Sequence, residues 1–144
     1  MSTRSWVVVG VAAMALATAG HARAGSVTWT PEQWEAVDTL KLCTTAPGEA
    51  PHCFPVWLVV LDGDVYVRLG TRATHRMRNN ATAPFVAVEI SGTRFERVRA
   101  IEAPESVERV NAAMADKYWT DFLVRLVSHP LTMRLKPDEG AATP

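Results

Sequence analysis

The sequence predicts an α+β fold with a mostly antiparallel sheet or a small barrel. Most apolar segments are short and strand-like, and tight-turn signals such as Asp62-Gly63 and Gly92 connect neighbouring segments. Apolar residues at helical spacing occur in only a few segments between these strands, which argues against a doubly wound fold. The sequence also contains no glycine-rich phosphate loop of the dinucleotide or nucleoside triphosphate kinds.

The first part of the predicted domain is a short helix followed by three strands. Thr30 is placed to cap the helix, which is expected to end near Asp38. Strands are expected at 39–45 and 54–61, and the second is a continuous Val-rich run typical of a strand buried on both faces. A third strand follows the tight turn, alternates apolar and polar side chains, and is broken by Gly70.

The second part mixes short helices with three more strands. Helical spacing or turn signals delimit each segment. The expected elements are a partly helical segment at 71–80, strands at 84–91 and 95–102, helices at 104–118 and 120–127, and a closing strand at 130–136.

The N-terminus predicts export of the protein. Residues 1–24 begin with a short polar stretch carrying Arg4, continue with an uncharged run at 6–19, and end with Ala22 and Ala24 at the spacing that signal peptidase accepts. The apolar run is shorter than the roughly 20 residues that a stable membrane-spanning helix needs. The expected product is therefore periplasmic or secreted, with no stable membrane span after cleavage; an uncleaved anchor is the alternative.

Cleavage would leave 25–144 as a single domain, with 138–144 as a frayed tail. The whole chain has 15 basic and 15 acidic residues, so loss of Arg4 and Arg23 leaves 15 − 2 = 13 basic residues against 15 acidic ones. A broad basic surface for nucleic-acid binding is therefore not expected.

Cys43 and Cys53 are predicted to form a disulfide. The segment between them is turn-rich, and Gly48 lies midway, which suits a cross-strand pair in a hairpin. In an oxidising compartment an even number of cysteines is first read as a bridge. Two reduced thiols are the next alternative, and a metal or redox site is the third, since His52 alone completes no usual ligand spacing.

The densest polar cluster lies where the third strand gives way to the next helix. Hydroxyls, guanidinium groups and free amide N–H groups at a helix start together form a good anion site. The alternative is a solvated face whose arginines pair with acidic side chains such as Glu89, Glu96 and Glu102. The cluster consists of Tyr66, Arg68, Gly70, Thr71, Arg72, Thr74, His75, Arg76 and Arg78.

The stretch Asp64-Val-Tyr-Val-Arg68, followed by Gly70-Thr71-Arg72 and by Asn80 before the next strand, resembles the split-barrel flavin proteins. These are the pyridoxamine-phosphate-oxidase-like group and its deazaflavin-dependent relatives, including a little-characterised bacterial branch. In them a strand is followed by Gly-Ser-Arg-Lys or a similar stretch that holds the cofactor phosphate.

The resemblance implies a split β-barrel with flanking helices, FMN or a deazaflavin as cofactor, and a homodimer. It assigns the phosphate to Thr71 and Arg72, with Arg68, Thr74 and Arg76 as neighbouring cofactor-binding residues. Ala73 stands where the family pattern has Lys, which removes one expected phosphate contact.

Two functions follow as hypotheses. The first is a flavin- or deazaflavin-dependent reductase of a small molecule, in which Trp57, Tyr118 or Trp119 could stack on the ring. The second is a non-enzymatic exported barrel that binds a small ligand or a partner protein, since no acid/base or nucleophile constellation is recognisable. A haem held by His75 or Met77 is a weaker alternative. Asp116 and Asp121 are expected to be solvated.

Overall fold

The computed structural model describes residues 27–124 and 126–138. The predicted signal peptide at 1–24 and residues 139–144 of the predicted tail lie outside this range. Asp138, the first tail residue, donates its backbone N–H to Arg97 O at 3.3 Å, and its carboxylate pairs with the Arg97 guanidinium. None of the helices in the described residues is long and apolar enough to cross a membrane.

The described residues form a closed antiparallel barrel in the strand order β1-β2-β3-β6-β5-β4. This confirms the predicted α+β class. The strands are β1 (Thr39–Thr44), β2 (His52–Leu61), β3 (Asp64–Leu69), β4 (Phe85–Ile90), β5 (Thr93–Glu102) and β6 (Leu131–Pro137). The helices are α1 (Thr71–Arg78), α2 (Val107–Lys117) and α3 (Asp121–Val124), with short 3-10 helices at Pro31–Trp34 and Pro104–Ser106.

Both tight hairpins follow from residues that accept a positive φ. Asp62 and Gly63 have φ of 51° and 76°, and Ser91 and Gly92 have φ of 49° and 76°. Two consecutive residues with positive φ form the turn whose twist matches that of the flanking strands. The turn signals therefore place β2 against β3 and β4 against β5.

The barrel interior is filled by alternate residues from the strands. Leu42, Leu58, Val67, Val88 and Leu135 are fully buried there. A second apolar cluster lies outside the barrel, where α2 covers the outer faces of β2 and β3. It consists of Val59, Tyr66, Ala103, Val110, Met114 and Tyr118. The expectation that the strand at 54–61 is buried on both faces is therefore confirmed only in part, because Phe54 is half-buried and Pro55 is exposed.

Two predicted helices are shorter than expected. The first is a single 3-10 turn in which Gln33 N–H donates to Thr30 O at 3.0 Å, and the Thr30 side chain caps nothing in the described residues. The position of this turn is determined by Trp34, which is buried against the rings of Trp29 and Phe95. The helix expected at 120–127 ends at Val124, since most of its apolar side chains lack a surface to pack against.

The predicted disulfide is present. Cys43 on β1 lies directly opposite Cys53 on β2, and their Cα atoms are 4.0 Å apart. The intervening turn has Gly48 at φ of 76°, and Glu49 N–H donates to Ala46 O at 3.0 Å. The hairpin predicted from the spacing of the two cysteines is confirmed.

Asn80 connects the end of β1 to the start of β4. Its Oδ1 accepts hydrogen bonds from Thr45 N–H at 3.1 Å and from the Thr82 hydroxyl at 3.0 Å, while its Nδ2 donates to Phe85 O at 2.8 Å. The side chain is buried. Asn80, which the resemblance places before this strand, therefore has a structural role in the loop.

Tyr118 holds the C-terminal end of α2 against the barrel. Its hydroxyl lies 2.6 Å from the carbonyl oxygens of both Asp38 and Leu58 and accepts from Leu58 N–H at 3.3 Å. Its ring stacks on Trp57, with 4.3 Å between centroids and 6° between planes. Neighbouring Lys117 donates to the carbonyl oxygens of Val37 and Leu58. Both aromatics are thus part of the packing between α2 and the barrel.

Tyr118 predicts a loss of stability at high pH. Burial raises the pKa of Tyr118 to about 12, whereas a tyrosine in the unfolded chain ionises near pH 10. Because the folded state holds this proton more tightly, the stabilisation is complete below pH 10 and is lost as the pH rises from about 10 to about 12. The free energy of unfolding of wild type and Tyr118→Phe, from urea titrations across this range, should converge as the pH rises. Burial also lowers the pKa of Lys117, but that contribution is common to both proteins. A constant difference would contradict this assignment.

Candidate functional site

The start of α1 presents unsatisfied backbone donors. β3 ends at Leu69, and Gly70 follows in an extended conformation with φ of −69° and ψ of 177°. The first hydrogen bond of the helix joins Thr74 N–H to Gly70 O at 2.8 Å, and no side chain among the described residues caps this end. The N–H groups of Thr71, Arg72 and Ala73 therefore lack a partner within the helix, which is the arrangement that binds anions at helix starts in proteins.

The basic side chains of α1 lie open around this end. Thr71 and Arg72 are exposed, and Arg76 is half-buried. Within the described ranges, none of these three side chains makes a hydrogen bond or ion pair. Glu89 and Glu96, which could have neutralised the cluster, pair with Lys41 at 3.3 Å and Arg94 at 2.5 Å instead. For these two carboxylates, pairing with the α1 arginines was the wrong expectation.

Thr74 supports the helix from beneath. Its hydroxyl donates to Leu69 O at 3.3 Å, and the side chain is buried. Thr74 therefore lies beside Thr71 and Arg72 in the fold, but its hydroxyl already has a partner in the protein. Its role here is to attach the first turn of α1 to the end of β3.

Arg68 is buried on the outer face of β3, the same face as Tyr66, because side chains alternate along the strand. Its Nη2 lies 2.5 Å from Asp121 Oδ1, and its Nη1 donates to Asn111 at 2.9 Å. Burial lowers the pKa of nearby His129, and the charge of Arg68 lowers it further. The structure therefore brings Arg68 together with α2 and α3, and its contacts there are with Asn111 and Asp121.

Asp121 is the buried carboxylate that sequence analysis missed. It was expected to be solvated, yet it is 1% exposed and pairs with Arg68 at the first position of α3. One signal in the sequence could have indicated this pair: Arg68 lies on a strand face that a helix covers. A guanidinium in such a place needs a carboxylate partner to offset its burial.

An apolar surface lies next to the start of α1. We call it the α3 patch, and it consists of Trp119, Phe122, Leu123, Leu126 and Val127. All five side chains are more than half exposed, and Trp119 and Leu126 are each 84% exposed. The segment that follows the patch lies beside the start of α1: a Cβ atom placed on Gly70 would be 3.9 Å from Ser128 O. Such a concentration of exposed apolar side chains is typical of an interaction surface.

Two cavities of about 400 and 390 Å³ lie elsewhere on the barrel. The first is beside Trp34 and Phe95, and the second is beside Cys43 and Arg94. Neither is lined by α1. Because Thr71 and Arg72 are exposed, the predicted phosphate site lies at the surface of the chain, with the α3 patch beside it.

Comparison with known proteins finds solved structures of similar fold but no matching protein family or curated sequence. No protein-family model and no curated protein sequence matches this chain. Among solved structures, an F420-H2-dependent reductase is 13% identical, has a TM-score of 0.54, and is covered over 95% of its length by 69% of this chain. A chain described as a domain-swapped dimer is 12% identical with a TM-score of 0.54, and 69% of this chain covers 80% of it.

Two further structures are similar. A conserved hypothetical protein from Mycobacterium tuberculosis is 20% identical, with a TM-score of 0.52, and 85% of this chain covers 92% of it. An FAD-binding protein from Mesorhizobium loti is 15% identical, with a TM-score of 0.51, and 75% of this chain covers 86% of it. At these identities the likeness shows the fold, which is the six-stranded split barrel that the resemblance implied.

The buried Arg68–Asp121 pair predicts a large cost for its loss. Asp121→Asn would leave the buried guanidinium without a counter-charge, so we expect it to lower the free energy of unfolding by about 3 kcal/mol or more. The matched control is Asp62→Asn, which removes the carboxylate of the exposed pair with Arg109 and should leave stability unchanged within error. Urea unfolding of the three proteins measures both effects. Equal changes in the free energy of unfolding for the two substitutions would contradict the prediction that the buried pair stabilises the fold more than the exposed pair.

Proposed function

We propose that this chain is an exported split-barrel protein that binds a phosphorylated flavin or deazaflavin and reduces a small molecule. The observation that carries the proposal is the uncapped start of α1, where Thr71 and Arg72 are exposed and unpaired among the described residues. Its support is a fold similar to that of an F420-H2-dependent reductase and an FAD-binding protein.

The residues at the start of α1 fit a phosphate group. Free backbone N–H groups, the Thr71 hydroxyl and the Arg72 guanidinium supply hydrogen bonds and positive charge from one side. Arg76 lies one turn further along the same helix and adds positive charge. Ala73 contributes only its backbone N–H, so Arg72 has the larger share of the charge neutralisation.

When bound, the flavin or deazaflavin would supply the electron transfer itself. The protein would bind and orient it: Thr71 and Arg72 would hold the phosphate, and the buried hydroxyl of Thr74 would keep the first turn in place. Trp119 is the exposed aromatic among the three ring-stacking candidates, because Trp57 and Tyr118 already stack on each other.

A second copy of the chain would complete this site. The α3 patch exposes five large apolar side chains next to α1, which a second protomer would remove from water. One of the structurally similar chains is described as a domain-swapped dimer. We therefore propose a homodimer in which the α3 patch lies in the interface.

Export belongs to the same proposal. The polar start, short uncharged run and small residues at 22 and 24 support a cleaved signal peptide. The Cys43–Cys53 bridge is consistent with an oxidising compartment. A chain that crosses the membrane unfolded would acquire its cofactor outside the cytoplasm.

Cofactor binding is tested by titrating the protein purified from the exported fraction with FMN and with F420, following fluorescence. We expect binding, and we expect Arg72→Ala to weaken it about tenfold or more, on the scale of a lost charged hydrogen bond. Arg109→Ala is the matched control, because Arg109 lies on α2 and pairs with Asp62. It should bind like wild type.

Failure to take up either cofactor would favour the second function, a non-enzymatic barrel that binds a small ligand or a partner protein. Binding that Arg72→Ala leaves unchanged would place the phosphate elsewhere on the barrel.

The dimer is tested by sedimentation velocity. Leu126→Glu places a charge in the α3 patch and should convert the dimer to a folded monomer, since the side chain is 84% exposed and its replacement leaves the core unchanged. Val27→Glu is the control, because Val27 is exposed outside the patch and should remain dimeric. A monomeric wild type, or a dimeric Leu126→Glu, would contradict the proposed interface.

A further inference from the structure

The two cysteines of the disulfide differ in their exposure to solvent. Cys43, on the outer face of β1, is only 3% exposed. Cys53 is exposed and lies near the start of β2, close to the turn. The bond between them therefore has one open end and one covered end. An incoming nucleophile can reach the Cys53 side and would displace Cys43.

The covered end lies against a positioned guanidinium. Arg94, on β5, reaches across β4 so that its Nη1 lies 3.5 Å from Cys43 Sγ and 4.0 Å from Cys53 Sγ. Its Nε pairs with Glu96 at 2.5 Å, which orients the group and leaves Nη1 directed at the sulfurs. A positive charge beside a sulfur stabilises its thiolate form.

A cavity of about 390 Å³ borders the bridge at Cys43, and Cys53 is not among its lining residues. Cys43, Arg94 and Arg97 line it, together with Glu96 and the ring of Phe85, over which the Arg97 guanidinium lies at 3.5 Å. Its volume is that of a small-molecule site. Arg94 pairs with Glu96, and Arg97 shares Asp138 with Arg99, so one positive charge is left in excess around the cavity. That excess favours a ligand that carries carboxylates.

We propose that Cys43–Cys53 is a thiol–disulfide exchange site whose substrate is a small thiol bearing carboxylate groups. The reaction is independent of flavin binding at α1. It uses the exposed sulfur for attack, the covered sulfur as leaving group and Arg94 to stabilise the thiolate that leaves.

The exchange proceeds in two steps. The thiolate of the small thiol attacks Cys53 Sγ, a mixed disulfide forms, and the Cys43–Cys53 bond breaks with its electron pair on Cys43. A second thiolate of the same compound then attacks the sulfur of the bound thiol. This releases the oxidised compound as its disulfide and leaves Cys43 and Cys53 reduced.

The test uses the exported full-length product in its oxidised form, with glutathione as the carboxylate-bearing thiol and cysteamine as a cationic one. After acid quench and alkylation, peptide masses should show glutathione on Cys53 and an alkylated Cys43. At equal thiolate concentration, glutathione should react faster than cysteamine. Raising the ionic strength should reduce this difference.

Arg94→Gln should slow the reaction with glutathione by about threefold, since a less stabilised thiolate leaves more slowly. It should also lower the ultraviolet absorbance of the thiolate in the reduced protein. Arg94→Lys keeps the charge and should restore most of the rate. Arg109→Gln makes the same charge change far from the bridge and should react like wild type.

Three results would overturn the proposal. The first is a bridge that glutathione does not reduce in the folded protein, which would mean a purely structural disulfide. The second is a mixed disulfide on Cys43, and the third is an Arg94→Gln rate equal to that of wild type. Loss of flavin binding in the Arg72 variant would leave all of these measurements unaffected.

Discussion

Closure of the barrel depends on β1, which pairs with β2 on one side and with β4 on the other. Pairing with β2 is local and is secured by the Cys43–Cys53 bridge. Pairing with β4 is long-range and extends over only three residue pairs, so it needs support. Asn80 provides it, because one buried amide joins Thr45 at the end of β1 to Phe85 at the start of β4. α1 lies in the segment that this amide closes, so the predicted phosphate site depends on the same clamp.

The outer face of β2 and β3 shows how the fold accommodates a buried charge. Arg68 lies where α2 and α3 cover the sheet, and its desolvation is offset by Asp121 and Asn111. The pair holds a helix of four residues that has few apolar contacts of its own. Consequently the apolar side chains of the α3 patch remain exposed on a fixed support. A surface held in this way is suited to receive a partner, because little ordering is needed on binding.

The two candidate sites lie on different parts of the barrel and use different chemistry. The start of α1 offers backbone N–H groups and unpaired arginines to an anion. The Cys43–Cys53 bridge offers a reactive bond beside Arg94, whose orientation comes from Glu96 on its own strand. At α1 the exposed Arg72 has no carboxylate partner among the described residues, which leaves its charge available for a ligand. At the bridge Arg94 is paired with Glu96 through Nε, and only its Nη1 is directed at the sulfurs.

The sequence by itself determined the α+β class, the two tight hairpins, the strand pairs they connect and the disulfide, because each depends on residues close together in the chain. The Asp62-Gly63 turn depends on two adjacent residues, and the two cysteines are ten positions apart in the sequence. The start of α1 was also foreseen, since a glycine break before a polar helix is a local signal. Only the tertiary structure decided which polar residues are open. Arg68, predicted as a cofactor contact, is covered by α2 and α3, while Asp121, expected in solvent, is its buried partner. Their sequence separation is 53 residues, and burial at that range depends on how the helices pack on the closed barrel.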